Sequence, residues 1–581
     1  MSFGGSLSIG RTALQSSQVA IQVTGNNFAN ASTPGFSRQR VDLVALQDQR
    51  WGQFQIGRGV GIGNISRQID QALVNRLNGA IADQGAADVG QNFLSQVESV
   101  INELGSNSLS DIFNQFFDSW SELANSPNRD GARALVVQQG RTLAGAMRNL
   151  RSDLSGARTQ LDQQLYAAVG QANAILDQIA TLNVQIVNAE GGVSEANSLR
   201  DQRDQLVTQL SRFADVSVVQ QDTGSIDILI GSTPVLLNNR SRGLQVDTRV
   251  TPTGRDLTVG VRDDGTTLSI RGGTIGGLLE QRGGTVQRTM DSLDSIAAQL
   301  IFEVNRVHSS GYATDALTGA TGTRTVPAAD VSRALNDPAN QTFAELPFSA
   351  VNGGFLVTVR NSSTGASQTV RINVDLDGLT SAGAPGFADD TSVQSLAADL
   401  SGVANLSATV NPDGTLSVRA APGFSVGFAE DSSGVLAVLG LNSYFTGTSA
   451  ENIDVRAELV AQPRLLSTGV MVNGQPTDNG AALAVAGLRT RGLTALGGAS
   501  VAGAWRDTAQ IVGADAQAAS TRAAAAKTVA DSLEAQRQGV SGVSIDEESV
   551  NLLNYQRMYQ GAARFISTVD ELTQTLLSMA Q

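Results

Sequence analysis

A multidomain α+β fold is predicted, with a long α-helical bundle or coiled coil contributed by both chain ends and central β-rich outer domains. Three observations predict it. Apolar residues recur at threes, fours and sevens at both ends, they begin to alternate at Ala214, and 581 residues exceed what one hydrophobic core usually supports.

The first segment places Leu7, Leu14, Ile21 and Phe28 at intervals of seven, a narrow helical seam. Arg11 is its only charged residue before Arg38, and amides and hydroxyls occupy its other faces. Such a surface suits contact with neighbouring protein on several sides better than solvation. Thr33-Pro34-Gly35 is expected to end the helix, since proline lacks a donor and glycine is conformationally free. Residues 36–65 read as a hairpin or long loop. Helical periodicity resumes at Ile69, returns over Asp111–Leu123, breaks at Asn125-Ser126-Pro127-Asn128, and then runs through Leu143, Leu154, Leu165 and Ile186.

From Ala214 strands are expected at Val216 to Val218 and Ile226 to Ile230. Leu257 to Val261 and Leu268 to Ile270, joined by Asp263-Asp264-Gly265, form a second candidate hairpin. A helix over about Val286–Val307 interrupts the β region. Beyond it, Phe355, Val357 and Val359 are expected to pair with Val370, Ile372 and Val374, a short helix spans Val393–Leu400, and Leu406 to Val410 meets Leu416 and Val418 across Asn411-Pro412-Asp413-Gly414. Helix returns over Trp505–Gln536 and again from Ile545, where Ser544 and Glu547 suggest a capping box. Its seam comprises Leu552, Tyr555, Tyr559, Ile566, Val569 and Leu576. The expected division is a terminal coiled-coil domain from 1–65 and 541–581, a rod of long helices from 66–212, 281–310 and 485–540, a β-rich domain from 213–280 and 450–484, and an outer β-rich insert, 311–449.

Composition narrows the function. With 54 acidic and 40 basic residues the net charge is -14, which disfavours a nucleic-acid partner. No apolar run approaches the roughly 18 residues of a membrane span, and the amino terminus lacks a signal-peptide pattern. Cysteine is absent and His308 is the one histidine, so thiolate or multi-histidine metal sites are excluded. His308 reads as structural, Gly57 to Gly63 as a glycine-rich turn rather than a phosphate loop, and Asp546, Glu547 and Glu548 as complements of a helix dipole. Asp375-Leu376-Asp377-Gly378 carries part of a calcium-loop spacing but no later glutamate, so a turn is expected there and no metal. Neither cofactor nor enzymatic activity is inferred.

Helical ends around a β-rich middle imply a chain that runs outward and returns. Two terminal helices alone make a thin pair, whose ordering costs about 1 to 2 kcal/mol per residue of backbone, so burial against other subunits is expected to order them. Periodicity alone leaves open whether the seams close within a chain or between chains.

The run Asn26-Asn27-Phe28-Ala29-Asn30-Ala31-Ser32-Thr33-Pro34-Gly35-Phe36-Ser37-Arg38-Gln39 resembles the amino-terminal signature of flagellar axial proteins, and its Ser-Arg-Gln extension resembles the hook-associated protein 1 family. Ser544-Ile545-Asp546-Glu547-Glu548, with Asn551-Leu552-Leu553, Tyr555-Gln556, Tyr559-Gln560 and Ala562-Ala563-Arg564, is similar to that family's final helix, and Asn197 to Leu206 to its approach from helix to strand. The resemblance implies export by the flagellar type III route without a cleavable signal peptide and an extracellular place in the flagellum. It also implies a ring of subunits between hook protein and a filament-side junction protein, and an export chaperone on the carboxyl-terminal segment. Alternatives are another axial component or, in a different class, an extracellular adhesin or hydrolase on helical stalks, which turnover of glycan or peptidoglycan would expose.

Overall fold

A computed structural model describes residues 3–103, 105, 107–191, 194–251, 254–472 and 475–579. Its contacts group into two units, one built from 1–93, 160–283 and 516–581, the other from 94–159 and 284–515. The helices Gln71–Ile101, Asp130–Glu190 and Val501–Ser541 supply residues to both.

The first unit opens with a helix, Phe3–Ala29, that stops before the Thr33-Pro34-Gly35 break. A hairpin follows, Gln39–Ala45 antiparallel to Val60–Arg67, with a smaller pair, Gln49–Trp51 and Phe54–Ile56, at its tip. Gly59, at φ +103°, lets the hairpin backbone lie on the helix: a Cβ there would stand 2.5 Å from Thr12 Oγ1 and 3.2 Å from Ile9 Cα. A meander of four strands, Val216–Gln220, Ile226–Ile230, Thr233–Leu237 and Arg240–Ser241, lies beside the end of the Asp130–Glu190 helix. Two asparagines of that helix tie it to strand edges. Asn183 donates to Ile226 O at 2.7 Å and accepts from Ile226 N at 3.2 Å, and Asn173 does the same with Leu244 at 2.9 and 2.6 Å.

Two expectations need correction here. Gly254–Val261 pairs along its length with Leu244–Thr251, and the expected pairing with the Leu268 segment is reduced to its tip: one bridge, Gly260 to Thr267, with Leu268 N donating to Val259 O at 2.8 Å, before the chain turns away. The helix Gly273–Gly283 went unread because its glycines look like turn signals; they allow close approach instead, since a Cβ on Gly277 would meet Ala86 O at 2.8 Å.

In the second unit the helix Leu109–Asn125 starts on Ser108, whose hydroxyl accepts from Asp111 N, and buries Phe113, Phe116, Phe117 and Trp120. Phe116 and Trp120 meet Tyr444, Phe116 also meets Phe445, and Tyr444 and Phe445 stand edge to face at 4.6 Å. Tyr444 donates to Val136 O at 2.8 Å, anchoring the cluster to the Asp130–Glu190 helix. Gly353–Asn361 lies between Ser367–Val374 and Phe424–Ala429, with Phe355 opposite Ile372 and Val357 opposite Val370. Leu406–Val410 pairs with Leu416–Ala420 across the anticipated turn. Residues 213–280 fall in the first unit and 450–484 in the second, so the β-rich domain expected from both is divided. The cause is that each pairs locally: Val470–Val472 finds its partner in Gln475–Thr477.

Candidate functional site

The helix Phe3–Ala29 packs antiparallel on the last helix, Ile545–Met579. Three points fix the register. A Cβ on Gly10 would stand 2.6 Å from Ile566 Cγ1 and 3.2 Å from Phe565 Cδ1, the cluster of Ala20 and Val23 meets Tyr555, and Asn27 reaches Glu548. Small residues at Gly10, Ala13, Ser17, Ala20 and Thr24 bring the backbones close. On the last helix, Glu548, Tyr555, Ala562 and Val569 form the inward line at intervals of seven; all are buried except half-buried Tyr555.

The residues picked from periodicity stand around this contact. Leu7, Leu14, Ile21 and Phe28 are half-buried along the flank of the first helix, as are Leu552 and Ile566 on the last. Val569 is buried, whereas Tyr559 is 37% and Leu576 48% exposed. A neighbouring line of the last helix is apolar yet open to solvent: Met558, Phe565, Leu572 and Met579, again at sevens, with exposures from 43% to 77%. Contiguous apolar surface of this kind is unusual on a chain that functions alone.

At the far end of the pair the sequence signatures converge on buried polar contacts. Asn27, 1% exposed, exchanges hydrogen bonds with the Gln39 backbone, donating to its carbonyl at 2.9 Å and accepting from its N–H at 3.0 Å, and donates to Glu548 Oε2 at 3.1 Å. Arg38 donates from Nε to Glu548 Oε1 at 2.8 Å and from Nη1 to Glu547 Oε2 at 2.6 Å. Its backbone N–H reaches Ser541 O at 2.9 Å. Beside it the Ser37 N–H donates to Asp201 Oδ2 at 3.2 Å, and Arg67 bridges Asp201 and Asp204 at 2.8 Å each. Burial pushes the Asp201 carboxyl above its ordinary value, opposed by Arg67 and Ser37. Asn197 donates to Ile65 O at 2.6 Å, holding the helix Asn197–Ser211 against the hairpin.

The rest of the amino-terminal signature shapes the turn. Asn30 donates to Asn26 O at 3.0 Å and accepts from Thr33 Oγ1 at 3.2 Å, and Phe36 N donates to Thr33 O at 3.2 Å. Gly35, at φ +78°, lies against Gln205. Ala29, Thr33 and Pro34 are exposed, and Phe36 is half-buried. The expected capping box is half made: Ser544 Oγ accepts from Glu547 N at a long 3.5 Å, while the Glu547 carboxylate is drawn away to Arg38. Glu548, which by sequence reads as a dipole complement, is instead a buried acceptor for Asn27 and Arg38. The sign available in sequence was Arg38, the first cation after a nearly uncharged stretch.

His308 lies elsewhere, fully buried in the second unit. Its Nδ1 donates to Asn442 O at 2.8 Å and its Nε2 accepts from Ser467 N at 3.0 Å. Desolvation lowers its pKa to about 4, so it is a neutral, fully used structural group. No described helix is long and apolar enough to cross a membrane.

Family models match in the same places. Residues 7–36 match the flagella basal body rod protein model and 534–579 the carboxyl-terminal model of flagellar basal body rod FlgEFG proteins. Residues 94–324 match the helical domain of flagellar hook-associated protein FlgK. Flagellar hook-associated protein 1 of Bacillus subtilis is 32% identical over 225 residues, 38% of this chain and 44% of that protein. The protein of the same description from Escherichia coli is 23% identical over 589 residues, 98% of both chains. Over nearly its whole length the chain is similar to flagellar hook-associated protein 1, and its middle matches that family's helical domain. The family is one of structural flagellar proteins, and its members assemble with other axial components. The solved structure of the flagellar hook junction protein FlgK from Burkholderia pseudomallei aligns with 80% of this chain and 100% of its own, at 17% identity and a TM-score of 0.49. The polar contacts join the two matched terminal segments: Asn27 lies in the first and Glu548 in the last.

Proposed function

We propose that this chain is an axial subunit that joins flagellar hook to filament, standing in a ring of copies through its terminal helices. The observation that supports the reading is the line Met558, Phe565, Leu572 and Met579, apolar, regular and uncovered beside a helix pair already closed within the chain. Copies of the same helix pair are its natural cover, since half-buried Leu7, Leu14 and Ile21 offer a second apolar flank at the same spacing. Hook protein would bound the ring on one side and the filament-side junction protein on the other. Before assembly an export chaperone would cover the last helix, and the subunit would leave by the type III route to work outside the cell. His308 lends no support to a histidine-dependent hydrolase, because both of its ring nitrogens are consumed by structural bonds.

The test is a strain carrying Phe565→Asp with Leu572→Asp. A folded, exported subunit and hooks without filaments are expected in electron micrographs; filaments of normal number and attachment would overturn the assignment.

A further inference from the structure

The turn Asp375-Leu376-Asp377-Gly378, which lacks a calcium-loop glutamate, gains a third carboxylate from elsewhere in the second unit. Asp375 and Asp377 follow the strand Ser367–Val374, and Asp390 precedes the helix Val393–Ser401. The two segments are stitched together by Asp375 N donating to Thr391 Oγ1 at 2.9 Å and Thr391 N donating to Asp375 O at 2.7 Å. One oxygen from each of Asp375, Asp377 and Asp390 then lies within 4.8 Å of the others.

Acidic groups often gather at turns without a ligand, but Asp390 is different. It is 6% exposed, and although its Oδ2 accepts from Asn336 Nδ2 at 2.6 Å and from Gly378 N at 3.2 Å, its buried Oδ1 has no hydrogen-bond donor among the described residues. The Asn336 amide, oriented by that bond, also keeps a buried Oδ1 without a partner. Buried carboxylate oxygens are ordinarily satisfied, and no arginine or lysine forms an ion pair with these three carboxylates among the described residues. A cation shared by the three carboxylates would satisfy the Asp390 oxygen. We propose that Asp375, Asp377 and Asp390 bind a divalent metal ion, calcium, on the exposed side of the Ser367–Val374 strand end.

The donor set and its spacing select the ion. All the donors are hard oxygens, with neither imidazole nor thiolate, which disfavours zinc and copper. Two oxygens on one calcium can stand no farther apart than about 5.2 Å, twice the longest ordinary Ca–O bond, so separations of up to 4.8 Å lie within calcium's reach after a small inward shift of the exposed carboxylates. Magnesium, with bonds near 2.1 Å, caps the separation at about 4.2 Å and keeps most of its water. Asp375 and Asp377 are exposed, which leaves room for water to complete calcium's coordination. The affinity expected of such a partly open site is that of extracellular calcium modules, with Kd on the order of 0.1 to 1 mM.

Calorimetric titration of the full-length monomer with calcium chloride, in chelator-stripped buffer at physiological ionic strength, tests this without reference to assembly. One ion per chain is expected, with a rise in the melting temperature of the second unit. Asp375→Asn with Asp377→Asn, both at exposed positions, is expected to weaken binding at least tenfold while leaving the calcium-free melt unchanged; Asp390→Asn is expected to abolish binding. Absence of saturable uptake up to about 10 mM calcium, or uptake indifferent to the double substitution, would overturn the site. Tighter binding of magnesium than of calcium would overturn the choice of ion.

Discussion

Asn27 makes three side-chain hydrogen bonds, as many as Asn30, but it alone of the two is almost wholly buried. Alanine there strips donors and acceptors from the Gln39 backbone and leaves Glu548 with Arg38 alone. Buried groups left unpaired cost about 1 to 3 kcal/mol each, so Asn27→Ala is expected to destabilise the first unit by roughly 3 kcal/mol, measurable by urea unfolding. His308 supplies a second residue-scale test. Its folded pKa of about 4 lies below the ordinary 6.5, so between these values the unfolded chain binds the proton and the folded one does not. Stability is therefore complete above about pH 6.5 and falls with acidification until about pH 4, by about 3 kcal/mol in total. His308→Gln is expected to flatten that slope in unfolding curves taken across the window. Legibility at this scale was uneven: the signature residues stood out locally, but nothing near Asn27 reveals that its carboxylate partner lies 521 positions later.

Among the elements, most of the long helices could be read because their apolar spacing repeats over many turns. The start of the last helix at Ile545 followed from Ser544, although the Glu547 half of the box is diverted to Arg38. Periodicity found the right helices and located their contact imperfectly. It favours large apolar residues, whereas the first helix approaches its partner through Gly10, Ala13, Ser17 and Ala20, which carry little apolar weight. The same bias hid the glycine-bearing helix Gly273–Gly283. Gly10→Leu is expected to part the terminal helices at the Ile566 end, raising amide exchange there while the Asn27 to Glu548 end stays protected. Leu572→Asp, by contrast, is expected to leave the monomer's thermal unfolding within about 0.5 kcal/mol of the parent, because a charge placed on a side chain already 52% exposed displaces little.

For the molecule as a whole, the net charge of -14 acts between copies rather than within one. Bringing like-charged subunits together is opposed at low salt, where the Debye length is about 30 Å at 0.01 M, and eased at physiological salt, where it is about 8 Å. Association of purified subunits is expected to strengthen as sodium chloride rises over that range, as followed by sedimentation velocity; weakening would point to salt bridges as the dominant contacts. The grouping of segments into units was the least legible level. Local signals found strands in 213–280, but nothing in the sequence says that 450–484, expected to share their domain, belongs to a different unit.

The pairing of the first helix with the last also has a bearing on synthesis. At roughly 5 to 20 residues per second, the 521 positions separating Asn27 from Glu548 take about half a minute to two minutes to emerge, and throughout that time the opening helix has no mate. A product released before Ile545 would keep it bare for good, so the union of the two helices doubles as a certificate that translation passed through Ile545–Met579.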